Sequence, residues 1–222
     1  MIGSTKRLRT VEQALSVLLF AQFILVCAVK VPRGLGVELL WISHVALLLG
    51  ASGLWLGSER ATATALTSIF VVHVVWVGDC IAWLTTGSFP LGVTGYMADA
   101  DVWTWLAAAH HAFLAPVLII VLWRRRSFPV VSWLAATALF LVLTVTSRAV
   151  SSPAANVNYT YGVFGRIDCA PLNWLNRLPG TPYVLLLNVL VSLICFLSAV
   201  VLFRGIIDEQ ESAGAPVLPH CA

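Results

Sequence analysis

The chain has 222 residues and a mass of 24.0 kDa, with 59% hydrophobic residues, 10% charged residues, a mean hydropathy of +0.92 and a formal net charge of +3. A soluble domain carries about 25% charged residues, so this composition cannot clothe a water-facing surface. It excludes a soluble enzyme, a nucleic-acid-binding module, a disordered protein and a small secreted scaffold, and leaves a polytopic membrane protein.

Six segments are long and apolar enough to cross a hydrocarbon core, which takes roughly 20 helical residues. In chain order they cover about 12–31, 39–56, 61–84, 102–123, 130–146 and 183–203. Each is rich in Leu, Val and Ala and apolar all round, without the period-two alternation of barrel strands. The expected fold is therefore all-α, a single bundle of about six transmembrane helices. The first segment follows Lys6, Arg7 and Arg9, and Val26-Cys27-Ala28 also fits the small-residue pattern of a signal-peptide cleavage site. Its length, and the Lys30 and Arg33 that close it, favour an uncleaved helix.

Basic residues orient the bundle. With the N-terminus inside, eight of the thirteen (Lys6, Arg7, Arg9, Arg60, Arg124, Arg125, Arg126 and Arg204) are cytoplasmic. Lys30, Arg33, Arg148, Arg166 and Arg177 are outside. Trp41, Trp83, Trp103, Trp105 and Trp174 then flank the outer interface, and Trp55, Trp123 and Trp133 the inner one. The expectation is an N-in/C-in protein of the cell membrane, with 207–222 as a flexible cytoplasmic tail. The Arg124–Arg126 run reads as a topology signal rather than a grip on a lipid headgroup.

Two connections, about 85–101 and 147–182, are longer than a bundle needs, and both fall outside. They carry aromatics and amides rather than the Ser, Glu and Lys of disordered segments, so they are expected to be ordered and to cap the bundle mouth. Asn158-Tyr159-Thr160 also spells a glycosylation sequon.

Within the spans the ionisable residues are His44, His73, Asp79, His110 and His111. An Asp at the centre of a bilayer costs about 2.5–3.5 kcal/mol on insertion scales, so it faces the interior and has a partner or a task. At a rise of about 1.5 Å per residue, His44, Asp79, His110, His111 and Asn188 share one layer roughly 8–14 Å below the outer boundary. His73 falls deeper and on a different face from Asp79. Consecutive His110 and His111 point about 100° apart on an unbroken helix, so only one readily faces inward.

This layer makes Asp79, His111, His110 and His44 the candidate catalytic residues. Trp76, Tyr96, Asn156, Asn158, Tyr159 and Asn188 are the candidate substrate-binding residues. The bland alternative is packing: hydrogen-bonded helical histidines, and an Asp79–Trp76 bond across one turn. A divalent metal such as zinc on His44, His111 and Asp79 is possible by ligand type, but no ligand pair has i, i+4 spacing, so it is not favoured. Acid/base chemistry, with His as proton carrier and Asp orienting it, is the milder reading. Cys27, Cys80, Cys169, Cys195 and Cys221 show no spacing motif. Lys6 and Lys30 are the only lysines, which excludes a retinal Schiff base and a phosphate-loop nucleotide site inside the bundle.

Four motifs in order cover a little under half the chain: Trp76-Val77-Gly78-Asp79, Thr94-Gly95-Tyr96-Met97-Ala98-Asp99, His110-His111 with Pro116, and Asn156-Val157-Asn158-Tyr159 running to Gly162. Together they resemble a family of uncharacterised bacterial multi-pass membrane proteins with Trp-x-x-Asp, Thr-x-Tyr-Met-x-Asp and Asn-x-Asn-Tyr motifs. Ala98 departs from the family's aromatic, and Arg124–Arg126 replaces an inner Gly-Tyr-Asp. More distantly the helix pattern is similar to the YwaF-like integral membrane proteins. A membrane acyltransferase is linked to that wider group, but its Cys position falls near Ser43 here, so that chemistry does not carry over. The resemblance implies a fold, a site location and a bacterial inner membrane; it supplies no reaction.

The function expected from these residues is a lipid-related enzyme with a polar His/Asp site in the outer half of the bilayer, its partner a membrane lipid and not a nucleic acid. The alternatives are a non-catalytic assembly or sensory subunit, docking a membrane-protein partner or a second copy, and a small-solute or proton-coupled transporter.

Overall fold

The computed structural model describes residues 2–163, 167 and 170–212, and among them there is no strand. The helices are α1 (Ile2–Lys30), α2 (Ile42–Leu56), α3 (Glu59–Thr86), α4 (Val102–Ala108), α5 (His110–Arg125), α6 (Val131–Val150), α7 (Ala170–Asn176), α8 (Gly180–Leu190) and α9 (Ser198–Ser212). A π-helical stretch, Val191–Leu197, joins α8 to α9. Five helical segments are long and apolar enough to cross a membrane: Leu8–Arg33, Glu59–Thr86, Val102–Arg125, Val131–Val150 and Gly180–Gln210.

The second expected span is shorter than its apolar run. Residues 39–41 do not join the helix: Gly36–Leu40 forms a 3-10 turn and Trp41 is extended (φ −53°, ψ 133°). That leaves a 15-residue helix, α2. The expected fourth span is interrupted at Ala109, and the expected sixth continues in helical form to Ser212, into the region read as tail. Residues 213–222 lie outside the described residues, as do Arg166 and Cys169.

Local sequence explains the helix ends. Ser58 caps α3, its hydroxyl accepting from the Ala61 N–H at 3.2 Å, and Asp101 caps α4 by accepting from the Thr104 N–H at 2.8 Å. Gly57 (φ +70°) closes α2 in the left-handed conformation that glycine adopts without strain. The chain can then turn straight back into α3.

α3 is the central helix, packing against α2, α5, α6 and the π stretch. Its contact with α2 depends on small residues. A Cβ at Gly53 would lie 2.7 Å from Thr62 Oγ1 and 2.8 Å from the Thr62 backbone nitrogen. Close backbone approach of this kind is how helices associate where no hydrophobic effect drives them together. The outer surface is apolar: Leu18, Ile24, Leu84 and Val201 are each more than 60% exposed. Thr62, Thr67, Ser68, His73 and Asp79 of α3 are buried.

Ion pairs sit toward the two ends of the bundle. At one end Arg125 grips Glu12 with two hydrogen bonds (2.9 and 2.6 Å), Arg9 reaches the carbonyls of Leu54 and Trp55, and Ser127 donates to Glu59. At the other, Lys30 pairs with Glu38, and Arg33 with Asp101 at 2.7 Å.

Candidate functional site

Four histidines meet inside the bundle, and two of them, His110 and His111, are neighbours at the start of α5. The Ala112 N–H bonds to the Ala109 carbonyl three residues back (3.0 Å), and the Ala109 N–H to Leu106 (3.3 Å), tightening the chain between α4 and α5. Gln22 of α1 donates to the carbonyls of Leu106 (2.9 Å) and Ala107 (3.1 Å). His110 and His111 fold back onto the same turn, with Nδ1 2.8 Å from the Ala107 carbonyl and 2.9 Å from the Ala108 carbonyl respectively. This fold-back of the two side chains brings their ring centroids to 4.1 Å although consecutive helical residues point about 100° apart.

His73, which the helical spacing sets apart, completes this group. Its ring centroid is 4.7 Å from that of His111 and 5.9 Å from that of His110. One ring nitrogen from each of His73, His110 and His111 lies within 4.8 Å of the other two. His44, from α2, stands beside them with its ring 5.2 Å from His110. The signal for His73 was present in the sequence: it precedes Trp76 by three residues and shares its face of α3. Trp76 in turn stacks on His111, ring centroids 4.5 Å apart and planes 14° from parallel.

Hydrogen bonding sets the tautomers. A carbonyl oxygen only accepts, so the Nδ1 of His110, of His111 and of His44 (2.8 Å from the Glu38 carbonyl) must carry the hydrogen. In a neutral ring Nε2 is then a lone pair. Histidines that bind metals are held in the same way, with the remote N–H on a backbone carbonyl. His110 Nε2 and both ring nitrogens of His73 are buried without a hydrogen-bond partner. Each such orphan costs about 1–3 kcal/mol.

Asp79 is buried, 1% exposed, and its carboxylate turns to the 87–101 connection. Oδ1 accepts from the Leu91 N–H at 2.8 Å, and Oδ2 from the Thr94 N–H and hydroxyl, both at 2.8 Å. Trp76 does not bond Asp79; its indole N–H donates to the Tyr96 hydroxyl at 3.1 Å. Met97, fully buried, packs with Trp76 and Cys80. The Trp-x-x-Asp and Thr-x-Tyr-Met motifs thus clasp each other, pinning the loop over the histidines.

The Asn-x-Asn-Tyr segment is a second clasp. Asn158 accepts from the Ile42 N–H (2.8 Å) and donates to the Leu40 carbonyl (2.8 Å) and the Ser147 hydroxyl (3.1 Å). It caps α2 from across the fold and brackets the extended Trp41, which explains why α2 starts late. At 1% exposure it is closed to glycosylation in the folded chain. Asn156 bonds the Gly162 carbonyl and the Tyr161 N–H within its own loop. Asn156, Asn158 and Tyr159 all have positive φ (40°, 54° and 56°). Asn tolerates this, whereas for Tyr it is strained. The Tyr159 carbonyl accepts from the Tyr183 hydroxyl (2.6 Å) and its ring meets Trp41 edge-on at 5.4 Å, which hold it there. Burial pushes the Tyr159 phenol up to about 12.

Asn188 donates to Thr144 Oγ1 (2.9 Å) and the Val184 carbonyl (2.8 Å), bridging α8 to α6. Of the residues read from the sequence, the structure brings together His44, His110, His111 and Trp76, adds His73, and sets Asp79, Asn156, Asn158 and Asn188 in separate hydrogen-bonded roles. Cys27, Cys80 and Cys195 are free thiols, and the other two cysteines lie outside the described residues.

Comparison with family models, with curated proteins and with solved structures gives no match.

Proposed function

We propose that the chain is a multi-pass integral membrane protein whose interior holds a transition-metal ion on the imidazoles of His73, His110 and His111, with His44 adjoining. The observation that carries this reading is the convergence of three buried rings, among which His110 Nε2 and both nitrogens of His73 have no protein partner. Imidazole suits Zn, Cu, Fe and Ni, and a metal would relieve the cost of those orphaned nitrogens. A non-catalytic assembly subunit has no need of such a cluster, and helix packing alone is better served by apolar side chains.

The basic helix ends support an N-in orientation in a cell membrane, with Arg9, Arg60 and Arg124–Arg126 cytoplasmic. The motif resemblance carries the further expectation of a bacterial inner membrane. Asp79 is engaged by the loop, so the imidazoles, rather than a His/Asp pair, are the reactive groups in this reading.

The test is total metal analysis of the protein purified in lipid nanodiscs, as isolated and after loading with each of the four metals in turn. Near-stoichiometric retention of one metal, lost in a His73→Ala/His111→Ala double variant that still inserts, is the expected result. If the wild-type protein retains none of them, the proposal is wrong.

A further inference from the structure

The charge of the ligand set narrows the ion. The groups facing the cluster are His44 from α2, His73 and Trp76 from α3, and His110 and His111 from α5. None of them carries a negative charge, and in the neutral rings of His44, His110 and His111 the hydrogen is on Nδ1, facing a carbonyl. The nearby ionised groups are already matched. Asp79 receives three donors from Leu91 and Thr94, and Lys30 is paired with Glu38. The Cys80 thiol is seven residues further along α3 and packs with Trp76, Met97 and Ala108. Among the described residues, the group that converges here is built from imidazole alone.

An ion held by neutral ligands keeps its full charge inside the apolar bundle. The cost of placing an ion in a medium of low dielectric rises with the square of its charge, so a divalent ion is about four times as costly as a monovalent one. Divalent sites avoid this with carboxylate, thiolate or hydroxide ligands, and this cluster has neither of the first two. Among the metals that imidazole suits, copper has a stable monovalent state. Three nitrogens about 2.0 Å from one ion in a plane are about 3.5 Å apart. One ring nitrogen of each histidine already lies within 4.8 Å of the other two, and His73 has no hydrogen bond to break in closing on an ion.

We propose that His73, His110 and His111 bind a single cuprous ion, His110 and His111 through Nε2. This rests on the metal-centre reading above and specifies its ion.

The experiment uses the full-length protein in nanodiscs, handled anaerobically. It is titrated with Cu(I) delivered from a coloured chelate, and in parallel with Zn(II). The expected result is one copper per chain, silent in electron paramagnetic resonance, whose X-ray absorption shows about three nitrogen neighbours and no sulfur. Zn(II) should be retained at least about 100-fold more weakly. Cys80→Ser should leave the copper stoichiometry unchanged, and His73→Ala should abolish it. Should the histidine variant not insert, the absorption spectrum of the wild-type protein still decides. Retention of Zn(II) in preference to copper, or a paramagnetic Cu(II) signal under reducing conditions, overturns the cuprous assignment and leaves the metal centre standing. Failure to bind any metal overturns both, and sulfur at the copper refutes the histidine site.

Discussion

Replacing Asp79 by Asn separates a carboxylate that belongs to the reactive centre from one that holds a loop. The carboxylate accepts three hydrogen bonds of 2.8 Å, one from Leu91 and two from Thr94. An Asn side chain has one oxygen. Turned toward Thr94 it keeps two of the bonds, but its NH2 group then meets the Leu91 N–H, donor against donor. One charge-assisted bond is lost at a cost of about 1.5–3 kcal/mol, and the two that remain are weaker for lack of charge. The Asn no longer buries a charge, which offsets part of the loss, so we expect a net destabilisation of about 2 kcal/mol. Asp79→Ala orphans all three donors and should cost about 3–6 kcal/mol. Thermal unfolding in nanodiscs reports the stability, and limited proteolysis reports whether the 87–101 connection has come loose. The Thr94→Val single and double variants give the coupling energy between the two side chains. Metal stoichiometry at the histidines should not change. A variant with wild-type stability and an intact loop, but with metal binding abolished, would show that Asp79 serves the centre directly and would refute this account.

Other substitutions examine the remaining parts of the structure. Asn158→Ala removes the cap on Ile42 and the bonds to Leu40 and Ser147, and should cost about 2–4 kcal/mol; an unchanged thermal midpoint would contradict the clasp. Gly53→Ala places a Cβ 2.7 Å from Thr62 Oγ1 and should destabilise by about 1–3 kcal/mol, which the additional change Thr62→Ala should partly restore in the same melt. Asp101 is held down to about 2 by the Thr104 N–H and hydroxyl and by Arg33, so its contribution to stability is present above the ordinary carboxylate range near 4 and is lost as pH falls through 2. Between those pH values the wild type should lose more stability than Asp101→Asn, and parallel pH profiles would argue against that assignment. Trp76→Phe keeps a ring on His111 but drops the bond to Tyr96; it should loosen the loop by about 1 kcal/mol, seen as faster cleavage in 87–101 while the metal is retained.

Composition alone determined that this chain is an all-α bundle of apolar helices. With so few charges there is no way to cover a water-facing surface, and the apolar runs have lengths that only helices convert into membrane-spanning segments. The placement of charge was equally legible: Lys30, Arg33 and Arg125 mark helix ends and Arg9 and Glu12 fall in the first three turns of α1, because that is where an ion finds a partner or water. The sequence also narrowed the interior to a handful of polar residues, with His44, His110, His111 and Trp76 among them.

The tertiary structure decided how those residues are shared out. Spacing rules give the direction in which a side chain leaves the helix but not its rotamer, and His110 and His111 both fold back onto the carbonyls of Ala107 and Ala108, which brings the neighbouring rings together. His73 was set aside by comparison with Asp79 on its own helix, whereas its true neighbours come from α5. Asp79 and Asn158 looked like members of one polar layer because depth along a helix can be counted from sequence. The partner of a carboxylate or an amide cannot be counted in that way, since it lies in loops brought close only when the bundle closes.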